Sequence, residues 1–110
     1  MKKDNSVYLK HILDSIKRIE EYTKEISKEQ FMSKNIVQAA AIREIEIIGE
    51  ATKMIDNKFK EDYGSIPWKS IAGMRDKLIH GYFGVDLEAV WKTIEEDIPY
   101  LKRELTKVNP

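Results

Sequence analysis

The sequence predicts an all-α bundle of four to five helices, built as a single domain over residues 1–110. Apolar residues recur at three-and-four spacing, no stretch shows the alternation of a half-buried strand, and no repeat, low-complexity tract or flexible linker divides the chain. A chain of this length can bury one core but keeps a large surface relative to its volume.

From about Ser6 to Ile26, Leu9, Ile12, Leu13, Ile16 and Ile19 predict a first helix with one buried face, capped by Asp4, Asn5 or Ser6. The stretch SKEQFMSKN breaks that pattern. Ile36 to about Phe59 predicts a second helix with apolar residues on more than one face, as expected of a helix packed on several sides. Gly49 within it hints at a close helix crossing, because glycine costs about 1 kcal/mol against alanine in a helix interior. EDYGSIP reads as a connection, and Pro67 opens a third helix running to about Ile79. Gly81 and Gly84 then interrupt. Asp86 caps a fourth helix carrying Leu87, Val90, Trp91 and Ile94, which must kink or restart near Asp97 because Pro99 lacks an N–H.

With 19 basic and 19 acidic side chains, the chain has no global pull toward nucleic acid, so a polyanion would need a local patch. The 42% apolar and 35% charged composition suits a helical protein that buries more surface by self-association. The lack of cysteine excludes disulfides, thiolate zinc sites and a cysteine nucleophile. No apolar run reaches the ~18 residues of a membrane span, and the expected location is cytoplasmic, away from membranes.

Of the two histidines, His11 lies about 200° around the first helix from Leu9 and should face solvent. Glu46 and Glu50 share one helix face, with Arg43 three residues before Glu46; they read either as ligands of a divalent cation or as ion-pair partners of Arg43 or Lys53. The segment GMRDKLIHGYFGVD sets Arg75, His80 and Tyr82 within eight residues. Arg75 and His80 can share a face only if the helix ends before His80. An arginine is a permanent planar cation suited to phosphate, and a histidine can accept and return a proton near neutral pH. That pair matches the needs of RNA strand cleavage without a metal. The bland alternative is a histidine at a helix C-terminus, a solvated arginine and a tyrosine packed on Phe83.

RDKLIHGY resembles the R-x4-H-x-Y signature of HepT, the toxin subunit of HepT/MNT toxin–antitoxin pairs in the HEPN superfamily. AIREIEIIGEATK, IPWKSIAGMRDKLIHGYFGVD and VWKTIEEDIPYLK also resemble HepT-like sequences, together covering roughly residues 36–104. The resemblance implies a helical homodimer of HEPN type whose two motifs face each other across a composite, metal-independent endoribonuclease cleft that cuts RNA. Arg75 would bind and polarise the scissile phosphate, and His80 would act as general base or acid. Tyr82 matches the tyrosine that a partner MNT nucleotidyltransferase antitoxin modifies with AMP from ATP, which would place charge and bulk where RNA phosphate sits. Because the second helix belongs to the matching region, Arg43, Glu46 and Glu50 are expected to shape the dimer cleft. No cofactor is expected. The competing readings are a non-catalytic binding partner that supports a minimal nucleotidyltransferase, and a purely structural helical dimer.

Overall fold

The computed structural model describes residues 4–80 and 84–108, the side chain of His80 excepted. The described residues are all-α apart from one ribbon of two two-residue strands. Helix α1 (Asn5–Thr23) starts where the Asp4 carboxylate accepts the Ser6 N–H, so the expected cap is Asp4. Leu9, Ile12, Ile16 and Ile19 are buried, whereas Leu13, expected with them, lies 36% exposed at the edge of that face.

The segment read as a break contains helix α2 (Lys28–Met32). Ser27 Oγ accepts the Gln30 N–H at 3.1 Å and Gln30 Oε1 accepts the Ser27 N–H at 2.9 Å, a reciprocal cap that starts even so short a helix. It delivers Phe31 to the core, where its ring meets Trp91 at 5.1 Å.

Helix α3 (Asn35–Met54) runs antiparallel along α1. One end is tied by a reciprocal pair of hydrogen bonds between Asn5 and Asp56, each 3.1 Å. Along the seam, Arg18 Nε donates to the buried carboxylate of Glu44 at 3.0 Å. The expected run to Phe59 stops at Met54, because the Asp56 carboxylate accepts the Phe59 N–H at 2.9 Å and starts α4 (Asn57–Asp62) instead.

The third predicted helix is two short ones, α5 (Trp68–Ala72) and α6 (Met74–Leu78), divided at Gly73. Trp68 fixes the entry by donating its indole N–H to the carbonyls of Lys60 and Tyr63, at 3.2 and 3.1 Å. Gly49 is the expected close crossing: a β-carbon there would lie 3.2 Å from the Ala72 carbonyl oxygen.

Past α6 the backbone turns extended. Strands β1 (Ile79–His80) and β2 (Gly84–Val85) pair antiparallel, Ile79 with Val85 and His80 with Gly84. The Asp86 N–H closes the ribbon onto the Leu78 carbonyl at 2.8 Å. Asp86 then caps α7 (Leu87–Lys92) as expected, accepting the Ala89 N–H at 3.0 Å.

The break expected near Asp97 is a widening. Residues Thr93–Asp97 form one π-type turn that runs into α8 (Ile98–Thr106) with every cap dihedral still helical. The turn places Pro99 in the first turn of α8, where its missing N–H costs least. Four helical paths, α1, α3, α5–α6 and α7–α8, share one contiguous core in which Ile12, Phe31, Ile45, Ile48, Val90 and Leu101 are almost fully enclosed.

Candidate active site

Arg75 projects from α6 toward α3, and its Nε donates to Glu46 Oε2 at 3.1 Å. Its Nη1 lies 3.6 Å from the Asp76 carboxylate. The side chain remains 47% exposed, so the guanidinium is held at one edge and open at the other. Gly49 eases this geometry, since a β-carbon there would crowd the Ala72 carbonyl oxygen at the end of α5, just before α6.

Arg75, Glu46, Glu50 and Arg43 line one concavity of about 300 Å3, together with Lys53 and Asp76. The structure thus gathers the three α3 residues expected to shape the cleft around Arg75. Three cations face three carboxylates there, so Arg75 does not sit in a basic patch. Glu50 pairs with Lys53 at 3.6 Å, one of the partners expected for it; Glu46 takes Arg75. Sequence reasoning missed that Glu46–Arg75 bond, which joins residues 29 apart on different helices and leaves no spacing signal within either.

The helix carrying Arg75 ends at Leu78, and Ile79 is extended at φ −116°, ψ 120°. The regular helical advance therefore stops before His80, which is the backbone condition for Arg75 and His80 to share a face. The His80 side chain and all of Tyr82 lie outside the described residues. Among the described residues no three His, Asp or Glu side chains gather as a metal-binding group, and Glu46 and Glu50 gain no third ligand. Among the described residues no helix is long and apolar enough to cross a membrane.

His11 faces solvent, edge-on to the Tyr8 ring at 6.4 Å. It borders a second concavity of about 250 Å3 that shares Arg43 and Glu50 with the first. The two depressions flank one stripe along α3: Ile36, Ala40, Arg43, Ile47, Glu50 and Met54, spaced alternately four and three apart. Ile36 is 85% and Met54 59% exposed, although both are apolar.

The family described as Ribonuclease HepT-like matches residues 12–108. A Methanocaldococcus jannaschii protein named "Gamma-glutamylcyclotransferase and putative RNase" is 52% identical over 108 residues, which are 98% of this chain and 49% of that protein. A Thermococcus cleftensis protein named "Probable ribonuclease HepT" is 51% identical over 108 residues, 98% of each chain. This chain therefore spans about half of the first relative and nearly all of the second. No solved structure gives a significant match. The match encloses the whole R-x4-H-x-Y segment and the α3 residues that meet Arg75, and it bears out both the resemblance and the expectation of a ribonuclease: the chain belongs to the HepT-like ribonuclease family.

Proposed function

We propose that this chain is the toxin subunit of a type II toxin–antitoxin pair, a metal-independent endoribonuclease that works as a homodimer and is neutralised by an MNT-type nucleotidyltransferase. The observation that carries the reading is Arg75, anchored through Nε to Glu46 yet half-exposed, three residues before α6 ends ahead of His80. On binding a phosphodiester, the guanidinium keeps Glu46 on Nε and exchanges its looser 3.6 Å contact with Asp76 for the non-bridging oxygens. His80 removes the proton of the 2′-hydroxyl as that oxygen attacks phosphorus. The 5′-oxygen leaves and takes a proton from the second His80 of the dimer, giving a 2′,3′-cyclic phosphate and a 5′-hydroxyl. Arg75 stabilises the charge that grows on the phosphoryl oxygens.

The α3 stripe supports the dimer. Paired antiparallel with a second copy about an axis beside Ile47, it sets Ala40 across from Met54 and Arg43 across from Glu50, burying apolar surface and matching opposite charges. Glu46 neighbours that axis, so the same pairing brings the two Glu46–Arg75 units together.

Regulation is proposed to act at Tyr82: its hydroxyl attacks the α-phosphate of ATP on the partner enzyme, pyrophosphate leaves, and the AMP-tyrosine fills the RNA site. Tyr82→Phe should stay folded and toxic and take up no AMP; normal labelling of that variant would put the acceptor elsewhere.

The test of the activity is cleavage of total RNA in EDTA by wild type, Arg75→Ala and His80→Ala, with the ends mapped. Cuts by wild type alone, ending in 2′,3′-cyclic phosphate, are expected. Equal cutting by all three would remove the residue assignment. The balanced charge around Arg75 favours a second reading, a non-catalytic partner that supports a nucleotidyltransferase. It predicts no cleavage by any variant and a stable complex with that enzyme.

A further inference from the structure

Glu46, Glu50 and Arg75 are all engaged in ion pairs on one flank of α6. On its other flank lies a cavity of about 290 Å3 between α5–α6 and the wide turn, floored by Ile71, Met74 and Leu101 and edged by Lys77, Asp97 and Tyr100. An apolar floor with a few convergent polar groups is the make-up of a small-ligand site. Lys77 and Asp97 are exposed and have no hydrogen-bond or ion-pair partner among the described residues. Tyr100 is 42% exposed, and the Arg103 guanidinium carbon sits 6.0 Å from its ring centre, which helps hold the ring as a platform. One wall is the π-type turn itself, a form that recurs at functional sites.

The position of the cavity relates it to Arg75. Arg75 and Lys77 are two residues apart on α6 and face opposite flanks, so their concavities are separated by the width of one helix, about 10 Å. An RNA strand with one phosphate on Arg75 would have only this single short helix to cross to bring a neighbouring nucleotide to Lys77.

We infer that this cavity is a base-recognition subsite for the nucleotide next to the scissile phosphate, and that the base is guanine; the inference rests on the ribonuclease reading above. Tyr100 offers the face on which a splayed-out base stacks. Lys77 meets the adjoining phosphate. Asp97 selects, because an ionised carboxylate only accepts hydrogen bonds. Guanine presents two adjacent donors, N1–H and N2–H, on its Watson–Crick edge. Adenine and cytosine set a ring-nitrogen acceptor beside their amino group, and uracil flanks its single N–H with carbonyls, so each would turn a lone pair toward the carboxylate. The cavity volume suits one base.

The test compares short RNAs that differ only at the base beside a single cut site, cleaved by wild type and by Asp97→Asn. Wild type should favour guanine over adenine by about tenfold or more, the discrimination of one bidentate contact. Asp97→Asn should bring that ratio close to one while unfolding at the wild-type temperature. Equal cutting at all four bases, or a preference that survives Asp97→Asn, overturns the subsite and leaves the ribonuclease reading standing. If wild type cuts no RNA, titration with guanosine 3′-monophosphate followed by NMR decides the subsite separately. Binding that Asp97→Asn abolishes retains the cavity as a nucleotide site while the ribonuclease reading falls; no binding removes both.

Discussion

Gly49 and Ala72 meet backbone to backbone: a β-carbon on Gly49 would stand 3.2 Å from the Ala72 carbonyl oxygen. A carbonyl in the last turn of α5 cannot rotate aside as a side chain would. Gly49→Ala gains about 1 kcal/mol of helix propensity and spends much of it on crowding, leaving stability within roughly 1 kcal/mol of wild type. Gly49→Val should lose about 1–3 kcal/mol by overpacking and lower RNA cleavage by moving Arg75 off Glu46. Urea denaturation together with a cleavage assay checks both; a Val variant as stable and active as wild type would mean that the crossing yields freely.

The hold of Glu46 on Arg75 makes arginine and lysine unequal at position 75. Arg75→Lys keeps the charge but loses the Nε donor and the planar fork. Cleavage should fall roughly 10²- to 10³-fold, close to the loss in Arg75→Ala. Glu46→Gln, which still accepts from Nε, should lose less than either. Single-turnover rates under identical salt give the order, and full activity in Arg75→Lys would show that charge alone suffices.

Arg43 and Glu50 provide a charge-exchange test of the proposed dimer. Arg43→Glu and Glu50→Arg should each weaken self-association by about tenfold or more, because each sets like charges against each other across the two-fold axis. The double variant should restore it. Sedimentation equilibrium reads this directly, and single variants that dimerise like wild type would move the interface off this stripe.

Ser27→Ala removes one half of the reciprocal cap on α2 and should cost about 1 kcal/mol. The loss should appear in the urea midpoint without a change in slope. A cost well below 0.5 kcal/mol would indicate that burial of Phe31, rather than the cap, holds α2 in place.

Features encoded within a few residues were legible in the sequence. Asp4 and Asp86 cap where the pattern implied, Gly49 marks the helix crossing, and helix three ends before His80. Helix α2 was missed and read as a break, because a five-residue helix has too few turns for periodicity to show, although Ser27-x-x-Gln30 marks its start. The split at Gly73 and the early stop at Met54 were lost because helical apolar spacing continues across both boundaries. The two-residue ribbon was invisible for the opposite reason, since it is too short to alternate. Arg75 and the α3 cluster were found by type and resemblance, but their partnership depends on how two helices cross, which neither helix records alone.

The wide turn at Thr93–Asp97 also sets the phase of the C-terminal helix. It inserts the equivalent of one residue, about 100° of rotation, between α7 and α8. Val90 and Trp91 can therefore point toward α2 and α3 while Ile98, Leu101 and Leu105 come round to pack beside α1. Deleting a single residue there would restore an uninterrupted α-helix and swing the buried side of α8 toward solvent. Along this path the tally of residues, more than their chemical character, decides which neighbour the helix meets.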